Sequence, residues 1–513
     1  MDVLDAIAAH AASEPSRPAH RWQGGELEWG DLWHQSGSLA GRLVAELPDD
    51  HSPVLVLAHK QSLALVAMLA CVRAGHPFVP VDDSVAPGRL ADILAVAAAS
   101  ALLAVSPTPE IPLPTGCLHW DADAVTAAAH TSAPAPDHGR ATHGAQAWYV
   151  IFTSGSTGEP KGVQISADNL SSFLDWVVGL VPDTATRHHA FLNQAPWSFD
   201  LSVMDTWTSL VTGATLVSID RDEVAHPSRL VAALRASEAT VWVSTPSFAG
   251  LCLSYPGFDS SLVPVETFLF CGETLPPATA SALLDRFPGA RVHNTYGPTE
   301  ATVAVTGLEV TREVIAHHPV LPVGRPKPGC AITIRTPEGG LVPPGGTGEI
   351  WIHGDTVSAG YLGRPDLTAR AFAPATPGLR HALDLPSWPT YRTGDAGRLD
   401  DDLLFFAGRL DHQVKLHGYR IELGDIEANL NRLPEVAACV VLPRSEGGVV
   451  DHLEAVVQLA DAGSPRTLVT TLALRRSLGD LLPAYMVPKT FRYLDELPMT
   501  TNGKVDRQAL AGG

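Results

Sequence analysis

Between Thr153 and Gly162 the chain reads Thr-Ser-Gly-Ser-Thr-Gly-Glu-Pro-Lys-Gly. Glycine lets a backbone turn so that successive N–H groups point to one side. Gly155 and Gly158 supply that freedom here, Thr153, Ser154, Ser156 and Thr157 add short O–H donors, and Lys161 adds an ammonium. Such a segment can wrap phosphate oxygens. It is not a Walker A loop, because Gly158 is followed by Glu159 and Pro160 where Lys and Ser/Thr are required. The bland alternative is a surface loop. The aromatic, β-branched run Trp148–Phe152 in front of it reads as a buried strand and favours the cradle.

Three further segments could act on the same ligand. In Asn294-Thr-Tyr-Gly-Pro-Thr-Glu300 the Tyr296 ring can stack on a purine, and Thr299 can donate to a phosphate. Glu300 can bind Mg²⁺, which commonly takes one or two carboxylates together with phosphate oxygens. In Tyr391-Arg-Thr-Gly-Asp395 the carboxylate can accept both hydroxyls of a ribose, with Arg409 bracing the sugar. Near the end, Asn502-Gly-Lys504 places a cation on a turn. Each of these has an ordinary reading as a solvated turn when taken alone.

Apolar strand-like runs and helical spacing alternate around these segments. Val54–Ala58, Leu63–Arg73 and Phe78–Val81 form a βαβ pattern, and Ala214–Ser218, Ser228–Ala236 and Thr240–Ser244 repeat it. A parallel-rich α/β fold with sheets covered by helices is expected. Ile93–Val105 is too short to cross a bilayer and reads as a core helix passing into a strand. Thr131–Gln146 and Ala373–Pro389 read as irregular connections. The main boundary is placed near Gly408–Asp411, giving residues 1–410 as the large body and 411–513 as a small α+β domain. In that small domain a helix from Asp425 and a strand at Val436–Leu442 are expected.

The chain has 513 residues, too many for one core. Its formal net charge of −20 argues against nucleic acid and anionic membranes as partners. The N-terminus lacks the basic segment of a signal peptide, and six cysteines without CxxC spacing fit thiols in a reducing cytoplasm. The 21 histidines are dispersed, and the pairs His188-His189 and His317-His318 read as solvated loops rather than metal ligands.

Taken together and in this order, these motifs resemble the amino-acid adenylation enzymes of the adenylate-forming superfamily, from about Leu27 to Arg507. Further matches are Cys271-Gly-Glu273, Gly348-Glu-Ile350, Gly360-Tyr-Leu362 and Lys415–Glu422. Phe191–Pro196, Ser198–Asp205, Ser244–Phe248 and Asn294–Thr306 look like the D-alanyl carrier protein ligases within that superfamily. Trp197 departs from the usual phenylalanine at a position expected to line the acyl or pantetheine channel.

The resemblance implies ATP and Mg²⁺ as cofactors and a large nucleotide-binding body with a mobile C-terminal lid. It assigns Thr153, Ser154, Gly155, Ser156, Thr157, Gly158 and Lys161 to the phosphates, and Gly272, Glu273, Asn294, Thr295, Tyr296, Gly297, Thr299, Asp395 and Arg409 to the rest of the nucleotide site. Lys504, Thr157 and Glu300 are the expected catalytic residues, Glu300 the metal ligand and Asp411 the hinge. Asp200 is expected to grip an α-ammonium, since a buried aspartate without a cation is costly. Leu201, Met204, Ser247, Leu269, Cys271, Thr295, Val303 and Ala304 are expected around the side chain, together with Lys504 at the carboxylate. Met204, Cys271 and Val303 resemble residues that leave room for a methyl group, so alanine of either hand is the first expectation. Glycine, serine and short β-amino acids follow it.

The sequence has no Leu-Gly-Gly-x-Ser attachment site, so the implied acceptor is a separate phosphopantetheinylated carrier protein. An acidic carrier meeting an acidic enzyme requires a local basic or apolar patch. Two roles stay open at this point: D-alanyl carrier protein ligase, or a stand-alone alanine adenylation enzyme of macrolactam biosynthesis that caps a carrier-bound amino acid. The rivals are an acyl-CoA synthetase for a short carboxylic acid, which Asp200 opposes, and a degenerate nucleotide-binding protein, which Lys504, Glu300 and Asp395 oppose.

Overall fold

The structure is a computed structural model that describes residues 1–131, 133–154, 159–374, 388–410, 413–416, 419–446, 449–461, 465–498 and 507–511. A nine-stranded sheet runs in the order Arg325–Pro326, Thr306–Glu309, Arg291–Tyr296, Thr267–Phe270, Val241–Ser244, Ala190–Asn193, Thr215–Ser218, Pro18–Trp22 and Gly25–Glu28. The strands from Arg291–Tyr296 to Pro18–Trp22 are parallel, and the edges are antiparallel. A six-stranded sheet runs Leu118–Trp120, Ala101–Ala104, Val54–Ala58, Phe78–Asp82, Ala147–Thr153 and Lys161–Ser166, antiparallel only at its last pair. Helices cover these strands, so Val54–Ala58 is buried along its whole length and reads as an unbroken apolar run.

The first expected βαβ unit closes directly, with Val54–Ala58 parallel to Phe78–Asp82 across the helix Ser62–Arg73. The second does not. Ala190–Asn193 lies between Thr215–Ser218 and Val241–Ser244, so the crossover helix Pro227–Ser237 spans an intervening strand. A local pattern fixes strand, helix and strand, but not which strand becomes the neighbour. Ile93–Val105 divides as expected into the end of the helix Pro87–Ala97 and the strand Ala101–Ala104.

A third, antiparallel sheet contains Cys330–Arg335, Gly348–Gly354, Phe372–Pro374, Pro389–Asp400 and Leu403–Arg409. It holds Asp395 directly opposite Arg409. From Gln413 onward the chain forms a hairpin, Gln413–Leu416 with Tyr419–Glu422, and a three-stranded sheet of Val436–Glu446, Val449–Leu459 and Thr490–Tyr493. The helices Leu423–Leu430 and Leu468–Gly479 pack on that sheet around Ile426, Val441, Val457, Leu474 and Leu478. The fold is α/β, a large body of helix-covered sheets followed by a small α+β unit.

Two expectations change. His189 is buried rather than solvated, because its ring nitrogens meet Thr240 Oγ1 at 2.9 Å and the Pro182 carbonyl at 3.0 Å. Trp197 is also buried, with its indole N–H donating to Thr206 Oγ1 at 3.1 Å. It belongs to the core behind the cleft rather than to a channel wall, because an indole N–H needs a partner when buried and Thr206 supplies it inside. The six cysteines are free thiols, and four of them are buried. Among the described residues no helix is long and apolar enough to cross a membrane. The middle of the expected Ala373–Pro389 connection lies outside the described residues.

Candidate active site

A cleft with about 1630 Å³ of space free of protein atoms opens between the large body and the C-terminal hairpin. Its walls include Thr153 and Ser154, Phe199–Leu201, Cys271 and Gly272, Gly297, Thr299, Val303, Asp395 and Arg409. Lys415, Tyr419, Arg420 and Tyr485 of the C-terminal unit close it from the other side. Segments far apart in sequence therefore face one space. Gly155, Ser156, Thr157, Gly158, Asp411 and Lys504 lie outside the described residues.

Asp200 precedes the helix Leu201–Val211, where free N–H groups favour negative charge. Its Oδ2 accepts a hydrogen bond from Thr299 Oγ1 at 2.6 Å. Burial still raises the carboxyl pKa, opposed only in part by that bond and by the charges of Lys415 and Arg420. A carboxylate in that condition is suited to an added cation. Leu201, Cys271 and Val303 line the same cleft. The space they leave is shaped by strain: Thr302 and Val303 have φ of 56° and 67°, unusual for β-branched residues. This turn fits because Gly297 has no side chain, as a Cβ there would stand 2.6 Å from the Ala304 Cα. The Cys271 thiol donates to the Val303 carbonyl at 3.4 Å and ties the turn to the sheet.

Behind this wall lie other expected pocket residues. Met204, Leu269 and Ala304 are fully buried. The Thr295 hydroxyl donates to the Phe270 carbonyl at 2.8 Å, and the Ser247 N–H donates to Glu273 Oε2 at 3.0 Å. These residues set the wall's position rather than its surface. A residue that sequence reasoning missed does the same. Lys60 is buried, and its ammonium donates to Asn193 Oδ1 at 2.5 Å and to the Ala195 carbonyl. Asn193 in turn donates to Asp205 Oδ1 at 2.9 Å. This network joins the Ala195–Phe199 turn to the helix that begins after Asp200. Burial pushes the lysine pKa down and the aspartate pKa up, each opposed by the other's charge. Lys60→Met is expected to cost about 3–5 kcal/mol in a denaturant unfolding experiment, because it leaves Asp205 buried without its cation.

Elsewhere in the cleft lining, Asp395 Oδ1 accepts from Arg409 Nη1 at 2.6 Å, and Asp395 Oδ2 accepts from the Tyr296 hydroxyl at 2.5 Å. The Tyr296 ring is buried beside Phe406, at 6.0 Å between centroids. Asn294 Nδ2 donates to the Pro322 carbonyl at 2.9 Å. The phosphate segment spans a hairpin, with Thr153 paired to Lys161 across antiparallel strands. Thr153 Oγ1 is buried with no partner among the described residues, while Thr153 itself lines the cleft.

The C-terminal hairpin docks directly on this segment. Glu422 N–H donates to Ser154 Oγ at 3.1 Å, Ser154 Oγ donates to the Arg420 carbonyl at 3.2 Å, and Lys161 Nζ lies 3.5 Å from Glu422 Oε1. The register delivers the Arg420 guanidinium to Glu300 Oε2 at 2.6 Å, while the Tyr361 hydroxyl donates to Glu300 Oε1 at 2.8 Å. Burial alone would raise the Glu300 pKa, but Arg420, with Lys161 and Tyr361, lowers it to about 2. Glu300 is thus a fully buried, ionised carboxylate that demands a cation, and in this arrangement the cation is a guanidinium. That donor chemistry fits a divalent ion at the same carboxylate. Arg420 lies in Lys415–Glu422 and Tyr361 in Gly360–Leu362, where neither residue type nor spacing gives a signal for this role. Arg89, which donates to the Thr153 carbonyl at 3.4 Å and lies 3.7 Å from Asp425, carried none.

The chain matches the AMP-binding enzyme family over residues 7–362 and the AMP-binding enzyme C-terminal domain over 425–504. It is 44% identical over 511 residues to the D-alanine–D-alanyl carrier protein ligase of Bacillus licheniformis, with 99% of each chain covered. Among solved structures, IdnL1 superposes with a TM-score of 0.78 at 28% identity, covering 96% of this chain and 98% of that one. PA1221, a protein containing adenylation and PCP domains, superposes with a TM-score of 0.81 at 25% identity, covering 99% of this chain and 84% of that one. The chain is therefore an ATP-dependent, AMP-forming ligase and belongs to the AMP-binding enzyme family.

Proposed function

We propose that this enzyme activates D-alanine with ATP and transfers the aminoacyl group to the phosphopantetheine thiol of a separate carrier protein. The observation that carries this reading is the end-to-end 44% identity to a D-alanine–D-alanyl carrier protein ligase. The cleft supports it with a buried carboxylate for an ammonium, Asp200, and with Leu201, Cys271 and Val303 in the same lining. Six free cysteines agree with a cytoplasmic location.

In the first step an alanine carboxylate oxygen attacks the α-phosphorus of ATP, the bond to the β,γ-diphosphate breaks, and pyrophosphate leaves. Asp200 holds the ammonium, and the Thr153–Lys161 hairpin holds the leaving phosphates. Lys504 would place its charge between the substrate carboxylate and the α-phosphate. Mg²⁺ bound at Glu300 would neutralise the triphosphate and the departing pyrophosphate. In the second step a thiolate attacks the acyl carbon and AMP leaves with the anhydride oxygen. The C-terminal unit, residues 411–513 in this reading, must move between the steps, because Arg420 and a divalent ion compete for one carboxylate. Arg420, bonded to Glu300 at 2.6 Å, holds the hairpin in the place it takes here.

A panel of pyrophosphate exchange reactions tests the substrate. D-alanine is expected to give the fastest exchange, ahead of L-alanine, glycine, serine and β-amino acids. Exchange with short fatty acids and none with either alanine would establish an acyl-CoA synthetase instead. Arg420 gives a test of the second step. A charge-assisted hydrogen bond contributes about 1.5–3 kcal/mol, or roughly a 10- to 100-fold change in population. Arg420→Ala is accordingly expected to slow transfer from preformed aminoacyl-AMP by about that factor while exchange changes far less. Equal losses in both would remove the competition.

A further inference from the structure

The helix Leu468–Gly479 buries Leu474 and Leu478 against the C-terminal sheet and leaves an apolar face uncovered. Leu468, Val469 and Leu472 are 72%, 76% and 54% exposed. Residues four apart share a helix face, so Leu468 and Leu472 lie in one stripe, continued a turn later by Arg475 and flanked by Val469 and Arg476. Large apolar side chains grouped in this way on a surface mark an interaction site more often than chance. The helix Leu468–Gly479 contains no acidic residue, in a chain of net charge −20. Arg475 and Arg476 are exposed and have no ion-pair partner among the described residues, whereas Arg466 just before the helix pairs with Asp495.

The location connects this face to the cleft. The Asp480 carbonyl after the helix stands 3.3 Å from where a Cβ on Gly88 would lie, so the helix ends against the large body. The chain then supplies Pro483, Tyr485 and Met486 to the cleft wall. Tyr485 stacks on Tyr419 at 3.8 Å, and Tyr419 meets Phe199, next to Asp200, at 4.6 Å. At 1.5 Å per residue, Leu472 and Leu468 lie about 12 and 18 Å along the helix from Asp480, where the chain turns toward this entrance.

We infer that the exposed face of Leu468–Gly479 is the docking surface for the carrier protein, whose acidic helix would lie on Leu468, Leu472, Arg475 and Arg476 with its pantetheine entering past Tyr485. The inference rests on the carrier-transfer reading and adds the surface to it. Arg475 and Arg476 give an acidic partner local opposite charge on a helix without acidic residues, in a chain whose net charge of −20 otherwise repels it.

The test uses the full-length enzyme, the phosphopantetheinylated D-alanyl carrier protein of Bacillus licheniformis and free pantetheine. Arg475→Glu/Arg476→Glu and, separately, Leu468→Ser/Leu472→Ser are compared with the wild type. Both variants are expected to keep pyrophosphate exchange and transfer to free pantetheine. KM for the carrier is expected to rise about tenfold or more, as for loss of a few interface anchors. The wild-type KM should climb steeply with salt, and the charge-reversed variant should lose most of that slope. Unchanged KM in both variants overturns the surface and leaves the carrier reading standing. A wild type that charges pantetheine but never the carrier overturns the carrier reading, and the surface falls with it. A wild-type dimer that either variant dissociates, with KM for the carrier unchanged, assigns the face to a second copy of this chain and overturns the proposal.

Discussion

Asp200→Asn is expected to raise KM for the amino acid by about 10²- to 10³-fold, the cost of leaving a buried ammonium without its counter-charge. KM for ATP should change far less, since in the proposed reading the carboxylate holds the substrate ammonium and not the nucleotide. Asparagine keeps an oxygen for the Thr299 hydroxyl, which now donates at 2.6 Å, so the wall should hold its shape. The pH dependence follows from burial. The Asp200 pKa is raised, so kcat/KM for the amino acid should fall with decreasing pH at a midpoint above the usual carboxylate range. The sign for stability is the opposite of that for binding. A raised carboxyl pKa favours the folded state below the ordinary carboxylate pKa, and this advantage is lost as pH rises through the folded value. Asp200→Asn should therefore leave the melting temperature at neutral pH unchanged or higher. Equal rises in KM for alanine and for ATP would show that Asp200 does not hold the ammonium, and a lowered melting temperature would show that it serves the fold.

Lys504→Ala is expected to reduce amino-acid-dependent exchange by about 10²- to 10³-fold, by analogy with removal of one preorganised donor from a developing anion. A lysine suits this position because it is a compact charge on a long stem. ATP should still bind, because the phosphate hairpin, Asp395 and Arg409 belong to the large body, as equilibrium binding of a non-hydrolysable ATP analogue would show. Transfer of a chemically prepared D-alanyl-AMP to a thiol should survive, because that step no longer needs the α-phosphate to be attacked. An unaltered exchange rate would remove Lys504 from the mechanism.

These two residues differ in what made them legible. Lys504 was marked only by its place at the end of an ordered set of motifs, since a lysine after an Asn-Gly turn is otherwise a solvated cation. Asp200 was marked by resemblance, and the cleft then gave a physical reason for it. The Val54–Phe78 unit and the α/β fold class followed from the sequence itself. Glycine and hydroxyl content, unbroken apolar strands and helical spacing are local properties that a chain carries before it folds.

Tertiary structure alone decided the rest. It set Thr299 on Asp200, 99 residues away, and Glu422 on Ser154, 268 residues away. It placed Ala190–Asn193 between the two strands of the second expected unit, and it turned Trp197 and His189 inward to partners that no spacing announces. It also gave Glu300 a guanidinium, drawn from a hairpin 120 residues further along the chain. Such choices depend on which surfaces meet and on how completely water is excluded from a charge. Neither quantity exists until the sheets have packed and the C-terminal unit has come to rest against them.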